Sequence, residues 1–213
     1  MGRLASLPAR IPLFPLPNAV LFPGMPLPLH IFEPRYRQMV RDVAMGDKTI
    51  GMLLLRPGWE RDYAGCPPVF EVGCAGVLEQ CEAMADGRFN ILLRGVSRFR
   101  ILAEHEGQPY RLASVEPLAD ATGDATELEA TRPQLIASIG MASGGRAGLV
   151  MQAELPHDAF VNALCQSLAL TPVERQSLLD CDTVLERARR LIEILQWKAL
   201  EQVMGKGSAE TVH

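Results

Sequence analysis

Between Arg10 and Gly46 the chain is dense in apolar side chains, yet it carries Pro12, Pro15, Pro17, Pro23, Pro26 and Pro28. Proline has no amide hydrogen and clashes with the preceding helical turn. No helix can run through this stretch, and strands survive only as short, bent or edge pieces. At Glu33-Pro34 the role of proline changes, because the amides of a first helical turn have no intrahelical partner to lose. Tyr36, Met39, Val40, Val43 and Ala44 then recur at helical spacing, which predicts a helix from Pro34 to Gly46.

At 213 residues and 48% apolar side chains, the chain can bury a sizeable core as one large domain or two modest ones. A net charge of -4 argues against a general affinity for nucleic acid or anionic membrane, which needs clustered surplus lysine and arginine. Cys66, Cys74, Cys81, Cys165 and Cys181 are odd in number, scattered and without a Cys-x-x-Cys pair. That pattern fits free thiols in a cytoplasmic protein better than a disulfide frame or a structural zinc site. Prolines interrupt the first residues too often for a signal peptide, and no window approaches the ~20 apolar residues of a membrane span.

Downstream, Thr49 to Leu55 reads as a buried strand, ended by Arg56-Pro57-Gly58. A proline- and aromatic-rich loop follows to Pro68. Val72 to Met84, Phe89 to Arg94, Ser97 to Glu104 and Tyr110 to Pro117 are predicted strands of an antiparallel meander, with Asp86-Gly87 as the tight turn of a hairpin. Ala119 to Thr126 is small and acidic, a hinge composition, and helices take over beyond it. Candidates are Ala125 to about Met141, bent or restarted at Pro133, and a helix capped by Asp158. Another opens on the Thr171-Pro172-Val173-Glu174 capping box, and a last one opens at Asp182. In that last helix Val184, Leu185, Ala188, Leu191, Ile192 and Leu195 form an apolar stripe, with Arg187, Arg189, Arg190 and Glu193 expected on the wet side. Ser143 to Gly148 reads as a loop.

The ordered set Pro-Leu-Phe-Pro-Leu (12–16), Val-Leu-Phe-Pro-Gly-Met (20–25), Leu-His-Ile-Phe-Glu-Pro-Arg-Tyr (29–36), Glu-Val-Gly-Cys-Ala (71–75) and Val-Ser-Arg-Phe-Arg-Ile (96–101) resembles the N-terminal substrate-binding domain of the ATP-dependent Lon proteases. It looks closer to the small free-standing bacterial proteins built around that domain than to the protease itself. The resemblance covers Ile11 to Leu118. It implies an α+β fold in which a PUA-like β pseudo-barrel with a side helix occupies residues 1–118. A C-terminal helical bundle over 119–204 and a disordered tail over 205–213 complete the expected organisation.

Chemistry leaves little trace. There is no Gly-x-x-x-x-Gly-Lys-Ser/Thr phosphate loop, and no His-Glu-x-x-His. The lysines Lys48, Lys198 and Lys206 offer no credible base for a serine nucleophile. We therefore expect no catalysis, no cofactor and no metal. Recognition remains, and the resemblance implies polypeptide segments or a partner protein as the ligand, with the chain a monomer or weak homodimer. Trp59, Tyr63 and Phe70 are the expected apolar anchors, in a groove between barrel and bundle, since aromatics supply contact area at low entropic cost. Phe32 and Tyr36 join them, with Glu33 expected to cap the helix and Arg35 to pair with a carboxylate. One alternative is RNA binding through a stripe of Arg88, Arg94, Arg98 and Arg100, which share strand parity. Another is a scaffold or dimerisation unit built on the last helix.

Overall fold

The computed structural model describes residues 7–62, 65–142 and 155–209. The proline-broken segment forms two short strands, β1 (Arg10–Leu16) and β2 (Pro26–Ile31), and the helix α1 follows over Pro34–Met45. Glu33 is its N-cap residue, with no side-chain capping bond; the Glu33 carboxylate instead accepts from Arg35 at 3.1 Å. The apolar run after α1 is β3 (Thr49–Leu54), buried along its whole length, and a 3-10 turn covers Trp59–Asp62. The hairpin expected at Asp86-Gly87 joins β4 (Val72–Ala83) to β5 (Phe89–His105), with Gly87 at φ +79°. The strand β6 (Arg111–Leu118) completes the β part.

Two strands expected either side of Gly95 are one strand. β5 continues through a bulge, because Gly76 pairs with Gly95 and Ala75 with Ser97, leaving Val96 without an opposite residue. A bulge adds a residue without ending the ladder and shifts the alternation of side chains by one.

β1 pairs β3 in parallel and β6 antiparallel, while β3, β4, β5 and β6 follow in antiparallel order. Five strands thus close into a ring, and β2 lies outside it, paired to the first half of β5. The ring interior holds Ile11, Leu13, Leu53, Ala75, Phe99, Ala113 and Val115. It is packed so tightly that a Cβ on Gly51 would come within 2.9 Å of Ile11, Leu13 and Phe99. The lumen is a core and has no room for a ligand.

The helical part comprises α2 (Ala125–Ala142), α3 (His157–Ser167), α4 (Pro172–Leu179) and α5 (Val184–Ala209). Pro133 sits inside α2 without ending it. The capping box of α4 forms as expected: Thr171 Oγ accepts from the Glu174 amide and Glu174 accepts from the Thr171 amide. Two other starts differ from expectation. Pro156 is the N-cap of α3, with Asp158 in its first turn. Thr183 rather than Asp182 caps α5, accepting from the Glu186 amide at 3.1 Å. The last helix runs through residues 205–209, part of the expected tail; the expected loop at 143–148 lies outside the described residues.

One apolar cluster runs from Phe14, Phe22 and Met39 on the β side to Phe160, Leu178 and Leu191 on the helical side. The acidic segment between the two parts is not loose. Ala121 bridges Thr183, and the amides of Val184 and Leu185 donate to the carbonyls of Ala121 and Thr122.

Candidate functional site

The place where sequence reasoning expected a groove, between barrel and helices, is closed by a buried polar network. Arg98 of β5 is 2% exposed and Arg187 of α5 is 0% exposed. Between them lies Asp120, just past β6. Arg187 holds the Asp120 carboxylate with both terminal nitrogens, at 2.6 and 3.1 Å, and donates from Nε to the Leu178 carbonyl. Arg98 Nε lies 3.2 Å from Asp120 Oδ1. Its terminal nitrogens donate to the carbonyls of Leu179, Ala119 and Asp182. Asn162 of α3 accepts from Arg187 and donates to the Pro23 carbonyl at 3.1 Å. Gln166 accepts from the Phe22 amide, and Gln176 donates to the Val72 carbonyl at 2.9 Å.

Burial alone would push the Asp120 carboxyl up, but the hydrogen bonds and charge of Arg187, with the charge of Arg98, outweigh it and hold Asp120 below its ordinary value. Burial and the neighbouring Arg187 charge push Arg98 below its ordinary value as well. Two cations share one anion here, and the carbonyls of Leu178, Leu179, Ala119 and Asp182 accept from their other nitrogens. Removing any one member would strand the others out of water.

This network corrects two expectations. Arg187 was assigned to the wet face of the last helix, yet it stands three residues after Val184 and four before Leu191, on the apolar stripe itself. Its spacing was the available signal. Arg98 was assigned to a solvated stripe with Arg88, Arg94 and Arg100, and the bulge at Val96 breaks that shared face. Ser97, Arg98 and Phe99 are all buried, because the sheet is covered on both sides at that point. Of the others, Arg88 pairs with Asp86 and bonds His30, Arg94 pairs with Glu79, and Arg100 is exposed. The structure does not assemble a basic stripe from these four.

The expected apolar anchors divide. Tyr36 is 5% exposed and packs on Phe14 with ring centroids 4.4 Å apart, so it belongs to the core. Phe70 is half-buried against the main apolar cluster, with the Arg56 guanidinium 5.5 Å from its ring centre. Trp59 is half-buried in its 3-10 turn. Tyr63 lies outside the described residues. Phe32 is 59% exposed and stacks loosely on His30. On the helices, Trp197 and Leu200 are exposed as well.

An open cleft of about 550 Å³ lies at one end of the barrel. Arg35 and Tyr36 of α1 border it, with Cys66 from the loop that carries Trp59, and the β5–β6 turn from Glu104 to Arg111. Arg111 is committed to Glu104 and to the Pro67 carbonyl, so its charge is already matched. His105 Nε2 lies 2.7 Å from Ser114 Oγ, but no carboxylate bonds its other ring nitrogen among the described residues. A serine nucleophile needs a base oriented by a third group, and this pair lacks it. No group of three or more His, Cys, Asp or Glu suited to a metal occurs among the described residues. Burial pushes the Cys74 and Cys165 thiols up to about 12, which makes them inert. No helix among the described residues is long and apolar enough to cross a membrane.

Known proteins match this architecture. A Lon N-terminal domain protein from Xanthomonas campestris is 26% identical, with a TM-score of 0.61 over 88% of this chain and 98% of that one. The N-terminal domain of a Mycobacterium avium complex Lon protease is 18% identical, with a TM-score of 0.62 over 87% and 97%. These neighbours share the PUA-like fold. Among curated proteins, Lon proteases from Parabacteroides distasonis and Cytophaga hutchinsonii are 29% and 26% identical over 87% and 88% of this chain. The chain spans about a quarter of their length, 23% and 24%. The family model covers residues 10–197, so it takes in the helices that the sequence resemblance stopped short of. By that match the chain belongs to the family of ATP-dependent protease La (LON) substrate-binding domains.

Proposed function

We propose that the chain is a recognition module that binds segments of other polypeptides and carries out no chemistry on them, in the service of protein quality control in the cytoplasm. The observation that supports this most is the family match across barrel and helices together, which treats as one unit the body that the buried network clamps. Recognition then falls to the outer surface of a rigid frame, because both the lumen and the seam are filled. The exposed ring of Phe32 after β2, and the open cleft beside the Trp59 loop, are the first regions to test. An exposed aromatic ring on a fixed backbone loses little entropy when it is covered.

Fluorescence anisotropy with labelled, reduced and alkylated lactalbumin, which stays unfolded, tests the reading against the folded oxidised protein. Binding of the unfolded form only is expected, with the client recovered at full length. Phe32→Ala should weaken binding by about 1–2 kcal/mol if the ring is an anchor. No binding of the unfolded form, or shortening of it by the purified chain, would contradict the proposal.

A further inference from the structure

The strand β2, with the adjoining halves of β5 and β4, forms a three-stranded wing beyond the closed ring, and its two edges differ. The β4–β5 hairpin is closed by the Met84 amide donating to the Arg88 carbonyl at 2.8 Å. Bonded and non-bonded pairs alternate down an antiparallel ladder. Glu82 with Asn90, and Gln80 with Leu92, therefore exchange bonds, while Ala83 and Cys81 turn their amides and carbonyls away from β5. The same alternation points Phe89, Ile91 and Leu93 of β5 toward Ile31, Leu29 and Leu27 of β2. On β2 the outward positions are then Pro26, Pro28 and His30. Two of the three have no amide to offer, so this edge is shut to another strand.

The β4 edge is open. β3 accompanies β4 only from Cys74 to Val77, and the Leu78 amide makes one last bond to the Lys48 carbonyl. From Glu79 to Ala83 the strand is exposed and has no neighbour on that side among the described residues. Cys81 and Ala83 each present one donor and one acceptor at the spacing of a β-ladder, and their side chains are small.

We infer that this edge, Glu79 to Ala83 of β4, takes up an extended segment of a client polypeptide as an added strand. The inference rests on the polypeptide-recognition reading and supplies its mode. Main-chain bonding reads backbone shape rather than sequence, which suits a domain that meets many unfolded clients. Charge sets the preference. Glu79 is held by Arg94, whereas Glu82 is exposed with no ion-pair partner among the described residues, so a segment carrying a cation opposite Glu82 is favoured. Glu82 also disfavours a second copy of this chain, because a two-fold pairing that sets Cys81 of one copy against Ala83 of the other would put the two Glu82 side chains opposite each other.

The test is NMR on the isotope-labelled full chain with a fluorescent peptide of alternating valine, threonine and lysine. The amides of Cys81 and Ala83 should gain exchange protection on binding, while that of His30 on the closed edge should not. Ala83→Pro removes an outward amide that the β4–β5 ladder does not use, and should lower affinity at least tenfold. Should that variant fold poorly, the wild-type chain with a peptide N-methylated at alternate amides gives the same reading and should also lose tenfold. Glu82→Lys should reverse the preference from the lysine peptide to its glutamate counterpart. Peptide binding that leaves Cys81 and Ala83 unprotected would overturn the edge inference and leave recognition standing. Protection that grows with protein concentration without peptide would overturn it in favour of self-pairing. If neither this peptide nor unfolded lactalbumin binds, the recognition reading itself falls.

Discussion

The seam between barrel and helices and the outer wing use the same strand, β5, for opposite purposes. At Ser97 to Phe99 the strand is covered on both faces, and a charged side chain there is folded into the core beside Asp120 and Arg187. At Phe89 to Leu93 it carries one neighbour whose outer edge prolines close and another whose outer edge is bare. The difference shows where this fold spends its polar groups. Those at the seam bond across two layers and hold them in one orientation, whereas those on the outer edge of β4 have no strand beside them among the described residues.

Breaking the seam should have the largest effect. A truncation after Leu118 removes the helices that cover Phe22 and the partners of Arg98, and should lose cooperative folding by calorimetry. Arg187→Met leaves Asp120 without its two-pronged partner and should cost about 3–5 kcal/mol in urea denaturation. Asp120→Asn should cost somewhat less at neutral pH, and its cost should depend on acid. The Asp120 carboxyl is held below its ordinary 3.8, so its ionic contribution is complete above that value and fades as pH falls through the lower folded value. The gap in stability between the native chain and Asp120→Asn should therefore narrow below pH ~4, as the linkage requires. A gap that widened on acidification would reverse the sign.

The barrel interior sharpens the same contrast at a smaller scale. Gly51→Val would force a side chain against Ile11, Leu13 and Phe99 and should destabilise by about 1–3 kcal/mol. Phe32→Ala on the open side should change stability by less than ~0.5 kcal/mol while weakening the unfolded client. A stability loss at Phe32 as large as that at Gly51 would mean that the exposed ring is holding the fold.

Much of this was legible in the sequence because the signals were local. Pro34 and the spacing of Tyr36 to Val43 placed α1, Asp86-Gly87 placed the hairpin, and Thr171 with Glu174 placed the start of α4. The motif order from Pro12 to Ile101 pointed to the family. What stayed hidden depends on pairing between distant segments. The bulge at Val96 comes from register against β4, and it alone separates Arg98 from the face that its parity with Arg94 suggests. Asp120 looked like part of a flexible acidic linker because nothing near it in sequence bonds it; its partners are Arg98 and Arg187. Arg187 was misassigned because its charge outweighed its position on the apolar stripe. The open edge of β4 becomes visible only once β3 is seen to leave at Val77, although Pro26 and Pro28 at alternate positions already marked the opposite edge.

The claim that everything else leans on is that barrel and helices are one clamped body, and two tryptophans stand ready to test it. Trp59 reports from the barrel loop and Trp197 from α5. In Trp197→Phe and Trp59→Phe variants, the remaining fluorophore follows urea unfolding of its own region. Coincident midpoints and slopes for the two regions are expected, whereas a helical transition well separated from that of the barrel would contradict the account.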